Sequence, residues 1–211
     1  MVNKYRTMTK QFSQYLDLPN LPNLEVKWDD KDIQYQYYAR PNQLIKQLDG
    51  THLGCTTYLR YAAIQAYTDW FFEQIPELKD KIGDIGWQIH RNDHNNPNGI
   101  QMPVHTDGKR GSFVISYMLS KGSESAITSW YKEYDQPLER QPRTGQVNKL
   151  LSYDQLQILE SIEIDLNRWI LFRSDVLHDV KPIMTERLCF TVGFFDKDLY
   201  SYISEKYGVK R

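Results

Sequence analysis

Between residues 83 and 195 the apolar side chains recur at every second position, and no long helical pattern returns until the C-terminus. Segment 112–120 is the clearest case: Phe113, Ile115, Tyr117 and Leu119 share one face, and Ser112, Val114, Ser116 and Met118 share the other. A period of two is that of a strand, whose successive side chains point to opposite sides of a sheet. The alternation returns at 156–166, and further strands are expected at 86–91, 126–132, 169–173 and 187–195, with a short extended run at 179–183. Turns separate these segments where crossover helices would otherwise stand. An antiparallel sandwich or jelly roll is therefore favoured over a doubly wound α/β fold.

The flanks read differently. The first 55 residues carry Pro19, Pro22 and Pro41 and a short amphipathic piece at 12–16, which suggests an irregular N-terminal wrap. From Thr57 the residues Leu59, Ala62, Ala63, Ala66, Trp70 and Phe71 recur mostly at helical steps, with Thr56 or Thr57 as N-cap, so a long helix is expected. Pro76 should end it at Ile75, with a further turn through Lys81 until Gly83. Residues 134–150 are polar, hold Pro137, Pro142 and Gly145, and read as a long loop of the kind that covers a site. A C-terminal helix is expected at 198–207, capped by Asp196 or Asp198 and stopped by Gly208. The expected organisation is one domain over 1–211, with an N-terminal region 1–83 packed on a β core at 84–195 and a terminal helix at 196–211.

Composition narrows the functional classes. With 26 Lys+Arg against 27 Asp+Glu there is no global positive field for nucleic acid or an anionic membrane. No apolar block approaches the roughly 18 residues of a membrane span. Cys55 and Cys189 are the only cysteines, too few for a disulfide scaffold and more consistent with buried, inert thiols in a cytoplasmic protein.

The chemistry-bearing residues cluster in the strand-rich part. His105 and Asp107 lie two positions apart, so on an extended segment both project to one side and can converge on an ion. His178, near a later strand end, is the natural third ligand. Two imidazoles and one carboxylate make the facial triad of non-haem iron(II), whereas zinc more often takes a tetrahedral site. Arg187 heads the strand Arg-Leu-Cys-Phe-Thr-Val-Gly-Phe, sharing its small-residue face with Cys189, Thr191 and Gly193. A guanidinium there is costly to bury unless it meets an anion, which it can grip in a bidentate fashion.

The order H-x-D, distal His, then Arg about ten residues on resembles the iron(II)- and 2-oxoglutarate-dependent oxygenase superfamily. Flanking sequences Ile-Gly-Trp-Gln-Ile-His-Arg, Arg-Gly-Ser-Phe-Val-Ile-Ser-Tyr-Met-Leu-Ser and Trp-Ile-Leu-Phe-Arg-Ser-Asp-Val-Leu-His are similar to its prolyl-hydroxylase-like and aspartyl/asparaginyl-hydroxylase-like branches. The resemblance implies a double-stranded β-helix, a cupin-like jelly roll with flanking helices. It implies that His105, Asp107 and His178 hold Fe(II) and that Arg187 pairs the distal carboxylate of 2-oxoglutarate, with Tyr117 or Ser116 assisting. Such enzymes consume dioxygen and 2-oxoglutarate, release succinate, and usually hydroxylate their substrate; ascorbate serves as a supporting reductant. Cys189 stands where many members have Ser, and Gly122-Ser-Glu-Ser-Ala-Ile-Thr replaces a Gly-Gly-x-Thr turn of prolyl hydroxylases. Asp107 argues against a halogenase, where that position is a small residue.

Other readings are weaker. His90 and His94 have helical zinc spacing, but Pro97 and Gly99 close behind argue against a helix. Trp87, Trp130 and Trp169 read as core. The expectation is thus an oxidoreductase, a hydroxylase acting on a peptidyl residue, an amino acid or a small metabolite. The alternative is a non-catalytic cupin-like metal-binding or recognition module. Oxidative demethylation of nucleic acid ranks last, for want of a basic surface.

Overall fold

Strand formation follows from the alternation. In the C-terminal strand Phe190, Val192 and Phe194 are apolar on one side, while Arg187, Cys189 and Thr191 occupy the other. A computed structural model of the protein describes residues 12–23, 33–37, 52–53, 55–59, 65–92, 95, 97–102, 104–107, 112–133, 153 and 156–210. In chain order the strands are β1 (Ser13–Leu16), β2 (Ile33–Tyr37), β3 (His52–Leu53), β4 (Cys55–Leu59), β5 (Ile82–Arg91), β6 (Ile100–Gln101) and β7 (Phe113–Lys121). They continue with β8 (Ile127–Glu133), β9 (Leu156–Glu163), β10 (Trp169–Arg173), β11 (Leu177–Lys181) and β12 (Glu186–Phe194). Helix α1 (Gln65–Gln74) lies between β4 and β5, and α2 (Asp198–Tyr207) follows β12.

A seven-stranded sheet runs β1-β10-β7-β12-β5-β4-β2, every neighbour antiparallel. A smaller sheet runs β11-β8-β9. Segment 100–105 lies along the free side of β11: Ile100, Met102 and His105 donate their N–H groups to Ile183, Val180 and His178 at 2.9, 3.0 and 3.0 Å. From β5 onward the chain therefore alternates between the large and small layers, with only β8 and β9 consecutive in the small one. That alternation is the topology of a double-stranded β-helix, or jelly roll.

The helices cover the outer face of the large sheet. In α1, Tyr67 and Phe71, four residues apart, are both buried. The Phe71 ring packs 5.6 Å from Trp169 and 6.5 Å from Phe194, and Tyr67 meets Trp87 edge-on at 5.2 Å. Burying each such side chain is worth roughly 1.5–3 kcal/mol. Ile203 of α2 enters the same core. Between the two sheets the packing is thinner, with Met118, Ile164, Ile170 and Cys189 in one cluster and Ile100, Met102, Val180 and Ile183 in another. Several of these side chains, among them Met118, Cys189, Met102 and Val180, also line a cavity between the sheets. Among the described residues no helix is long and apolar enough to cross a membrane.

Several expectations need correction. Residues 55–59 are a strand, not the start of a helix; the β-branched and aromatic run Cys-Thr-Thr-Tyr-Leu pairs with β5, whose edge would otherwise stay unsatisfied. Among the described residues the helix runs Gln65–Gln74, stopping ahead of Pro76 as expected. Gly83 does not stop a helical turn but lies inside β5, after a short 3-10 turn at Pro76–Leu78. The N-terminal stretch is less irregular than expected, because β1 borders the large sheet on one side and β4 and β2 extend it on the other. The remaining strands fall within a few residues of their predicted bounds, and α2 matches 198–207, with Asp196 Oδ1 accepting the Asp198 N–H at 3.1 Å. The loop expected at 134–150 lies outside the described residues, as do Pro41 and His94.

Candidate metal centre

His105 and His178 face one another across the junction of segment 100–105 with β11, in a backbone bridge. Directly opposed residues of an antiparallel pair send their side chains to the same side. The two imidazoles accordingly sit with ring centroids 4.5 Å apart. Asp107, two positions beyond His105, brings its Oδ1 to 3.6 Å from His105 Nε2. One ligand-type atom from each of His105, Asp107 and His178 lies within 4.8 Å of the other two. An ion about 2.1 Å from each donor needs such atoms roughly 3 to 4 Å apart, so only small side-chain movements separate this arrangement from a closed site.

The protonation states suit a cation. His178 Nδ1 lies 2.8 Å from the Val176 carbonyl, which can only accept, so Nδ1 carries the proton and Nε2 keeps its lone pair. Burial, reinforced by nearby His105, pushes the His178 pKa down to about 4 despite the opposing Asp107 carboxylate, and the ring is neutral at pH 7. Asp107 is fixed through its backbone, its N–H donating to Ser174 O at 2.9 Å. Two imidazoles, that of His178 neutral, and a carboxylate on one side of a strand pair form a donor set that fits a divalent first-row metal.

The same cavity holds a buried guanidinium. Arg187, 6% exposed, lines it from β12 together with Cys189, Thr191 and, from β7, Ser116. Its Nη1 reaches the Lys121 carbonyl at 3.5 Å, and among the described residues no carboxylate pairs with it. The surface ion pair that Asp175 or Asp179 could have offered is absent. Asp175 is taken by Arg173 and Lys197, and Asp179 accepts the phenols of Tyr131 and Tyr153 at 2.9 and 2.6 Å. Burial works against the charge on Arg187. Gly122 makes room for it: with φ +76° it passes so close that an added Cβ would stand 2.8 Å from Ile183 Cγ2 and 3.0 Å from Arg187 Cβ.

The sequence expectations for the site divide. His105, Asp107, His178, Arg187 and Ser116 all line one cavity. Tyr117 does not: it projects from the other face of β7 into the helix-side core, its ring 5.0 Å from Trp169, because a strand sends neighbouring residues to opposite sides. Ser116 is hydrogen-bonded to Thr191 Oγ1 at 3.2 Å, which in turn lies 3.4 Å from Cys189 Sγ. Cys189 is buried, as expected, and its thiol is pushed up by burial.

Two further cavity residues escaped the sequence reading. Thr128, on β8, is 6% exposed, and its hydroxyl has no hydrogen-bond partner among the described residues. An unsatisfied buried hydroxyl costs about 1–3 kcal/mol, which a polar ligand in the cavity would recover. His90, noticed only for its spacing to His94, sits opposite Arg187 in the β5–β12 register. Burial, with the Arg187 guanidinium and the His105 ring nearby, pushes its pKa down to about 3. The alternation of β5 could have identified it, since Gln88 and His90 lie on the face opposite Trp87 and Ile89.

No family model and no curated protein matches the sequence. Solved structures with similar chain courses include the epimerase SnoN in complex with Fe3+, alpha-ketoglutarate and nogalamycin RO (8% identity, 74% of this chain and 69% of that one, TM-score 0.45). Also similar are a Pseudomonas putida prolyl-4-hydroxylase (12% identity, 79% and 93%, TM-score 0.40) and a Trichoplax adhaerens prolyl hydroxylase in complex with a hypoxia-inducible-factor peptide fragment (14% identity, 80% and 73%, TM-score 0.43).

Proposed function

We propose that this chain is an Fe(II)- and 2-oxoglutarate-dependent dioxygenase that hydroxylates a C–H bond of a peptidyl residue, an amino acid or a small metabolite. The observation that carries the reading is the convergence of His105, Asp107 and His178 in a cavity that also holds Arg187, which has no carboxylate partner among the described residues. His105, Asp107 and His178 are the proposed metal ligands. When bound, iron(II) supplies the redox chemistry that couples dioxygen and 2-oxoglutarate to succinate, carbon dioxide and an oxidised substrate. A facial set of three protein ligands leaves room for a chelating co-substrate.

The chain's own residues do the rest. Arg187 binds the far carboxylate of the co-substrate, replacing with an ion pair the solvation it lost on burial. Thr128 donates its otherwise unpaired hydroxyl to the same bound molecule. Ser116 and Thr191, bonded to one another, form a small polar wall that admits a slim dicarboxylate. The Val176 carbonyl keeps the proton on His178 Nδ1, so the ligating nitrogen never competes for it.

The test uses anaerobic protein loaded with Fe(II) and 2-oxoglutarate, which should show a weak visible charge-transfer band. On admission of air, with ascorbate present, it should release succinate even without the proper substrate. Tight metal binding with no band and no succinate would instead identify a recognition module.

A further inference from the structure

The connection between β10 and β11 is only three residues long, Ser174, Asp175 and Val176, and it crosses from the large sheet to the small one. Two of its carbonyls hold the candidate metal ligands. Ser174 O accepts the Asp107 N–H at 2.9 Å, and Val176 O accepts the His178 Nδ1 proton at 2.8 Å. Ligands from two separate segments thus take their orientation from one tripeptide.

The residue between those two carbonyls is held unusually firmly. Arg173 donates to Asp175 through Nε and Nη2, both at 2.7 Å, in a bidentate grip. Lys197, just ahead of α2, approaches the same carboxylate at 3.3 Å. The Asp175 N–H donates to Ser112 O at 3.2 Å, and the Arg173 carbonyl accepts the Trp130 indole N–H at 3.0 Å. Its side chain is 17% exposed, so this is not the solvent-loose surface pair that contributes little. Burial would raise the Asp175 carboxyl, but Arg173 and Lys197 outweigh it and keep the group ionised.

We infer that Asp175 is a positioning residue for the metal centre: clamped by Arg173 and Lys197, it sets the tilt of the 174–176 tripeptide and so aims Asp107 and His178 together. The inference rests on the metal site proposed above. If the clamp opens, both carbonyls move at once, and the His178 ring and the Asp107 backbone lose their orientation in the same event. Groups that orient metal ligands typically account for 10–100-fold in affinity.

For Arg173 charge and geometry predict opposite results, which makes the test sharp. The full chain is titrated calorimetrically with cobalt(II) chloride, and the visible cobalt spectrum is recorded. Asp175→Asn should bind about tenfold more weakly or worse, with an altered spectrum. Arg173→Gln removes a cation near a cation site, so simple electrostatics would tighten cobalt binding; positioning requires it to weaken. Arg173→Lys preserves the charge and loses only the two-pronged grip, and it too should weaken. It also serves if Arg173→Gln fails to fold. Asp196→Asn, which removes the charge facing Lys81 and keeps the Oδ1 that accepts the Asp198 N–H, should match the wild type. Unchanged affinity in Asp175→Asn, or tighter binding in either Arg173 variant, would overturn the positioning role while leaving the metal site intact. Failure of the wild-type chain to bind cobalt would instead remove the metal-site reading itself.

Discussion

His105 and His178 exchange both of their backbone hydrogen bonds, His105 N–H to His178 O at 3.0 Å and His178 N–H to His105 O at 2.9 Å. The imidazoles are therefore paired by the main chain before any ion arrives. This arrangement separates ligation from folding. His178→Ala leaves both main-chain bonds in place, so the metal-free variant should melt within a few degrees of the wild type while cobalt affinity falls by about 100-fold or more. Wild-type affinity in that variant would exclude His178 from the ligand set.

Arg187 and Thr128 are polar groups buried ahead of a ligand, and both should show a trade of stability against binding. Thr128→Val has nearly the same shape and removes the unpaired hydroxyl, so the metal-free protein should be as stable or slightly more so. Its 2-oxoglutarate Kd should rise about tenfold, the worth of one hydrogen bond to a charged group. Arg187→Met removes a buried charge that meets no carboxylate among the described residues; the melting temperature should rise and co-substrate binding should weaken by about 100-fold. Binding by fluorescence or calorimetry, beside thermal melts, checks both halves.

Gly122 supports the Arg187 position from below. Gly122→Ala must strain a backbone at φ +76° and push on Ile183 and Arg187, which should cost roughly 1–3 kcal/mol. The denaturation midpoint should drop, and the residual folded protein should bind 2-oxoglutarate more weakly. An unchanged midpoint would mean that the 122 turn relaxes freely.

Glu77 ties α2 to the turn after α1, accepting from Lys206 Nζ and the Tyr207 hydroxyl, both at 2.8 Å. Burial would raise its carboxyl, but these donors win and hold it below its ordinary value of 4.5. A folded pKa below the unfolded one contributes stability above pH 4.5 that is lost as pH falls through the folded value. Glu77→Gln should therefore melt lower than wild type at pH 7, and the gap should close below pH 4.5. A gap that persists once the carboxyl is protonated in the folded state would point to packing and not charge.

The site was legible where strand alternation and ligand spacing agree. The H-x-D pair and the small-residue face of β12 could be read directly, because a period of two translates into a face without further information. Tyr117, named beside Ser116 on the strength of the resemblance, fails the same test, because adjacent strand residues cannot share a face. Thr128 lay in a segment correctly expected as a strand, and pairing it with Trp130 on one face would have placed it inward. The strand at Cys55–Leu59 was obscured by the alanines that follow, whose helical spacing drew the boundary too early. What no local pattern holds is the tripeptide at 174–176, since the value of its carbonyls depends on residues far away in the chain.

β12 sits at the centre of the large sheet, bonded on both sides, with Arg187, Cys189 and Thr191 turned toward the cavity and Phe190, Val192 and Phe194 toward the helices. A single inserted or deleted residue midway along it would exchange the two sets downstream, burying hydroxyls among aromatic rings and presenting phenylalanines to the ligand. This strand can consequently drift by substitution but not by length, and lineages descending from this chain should tolerate indels in its loops long before they tolerate one here.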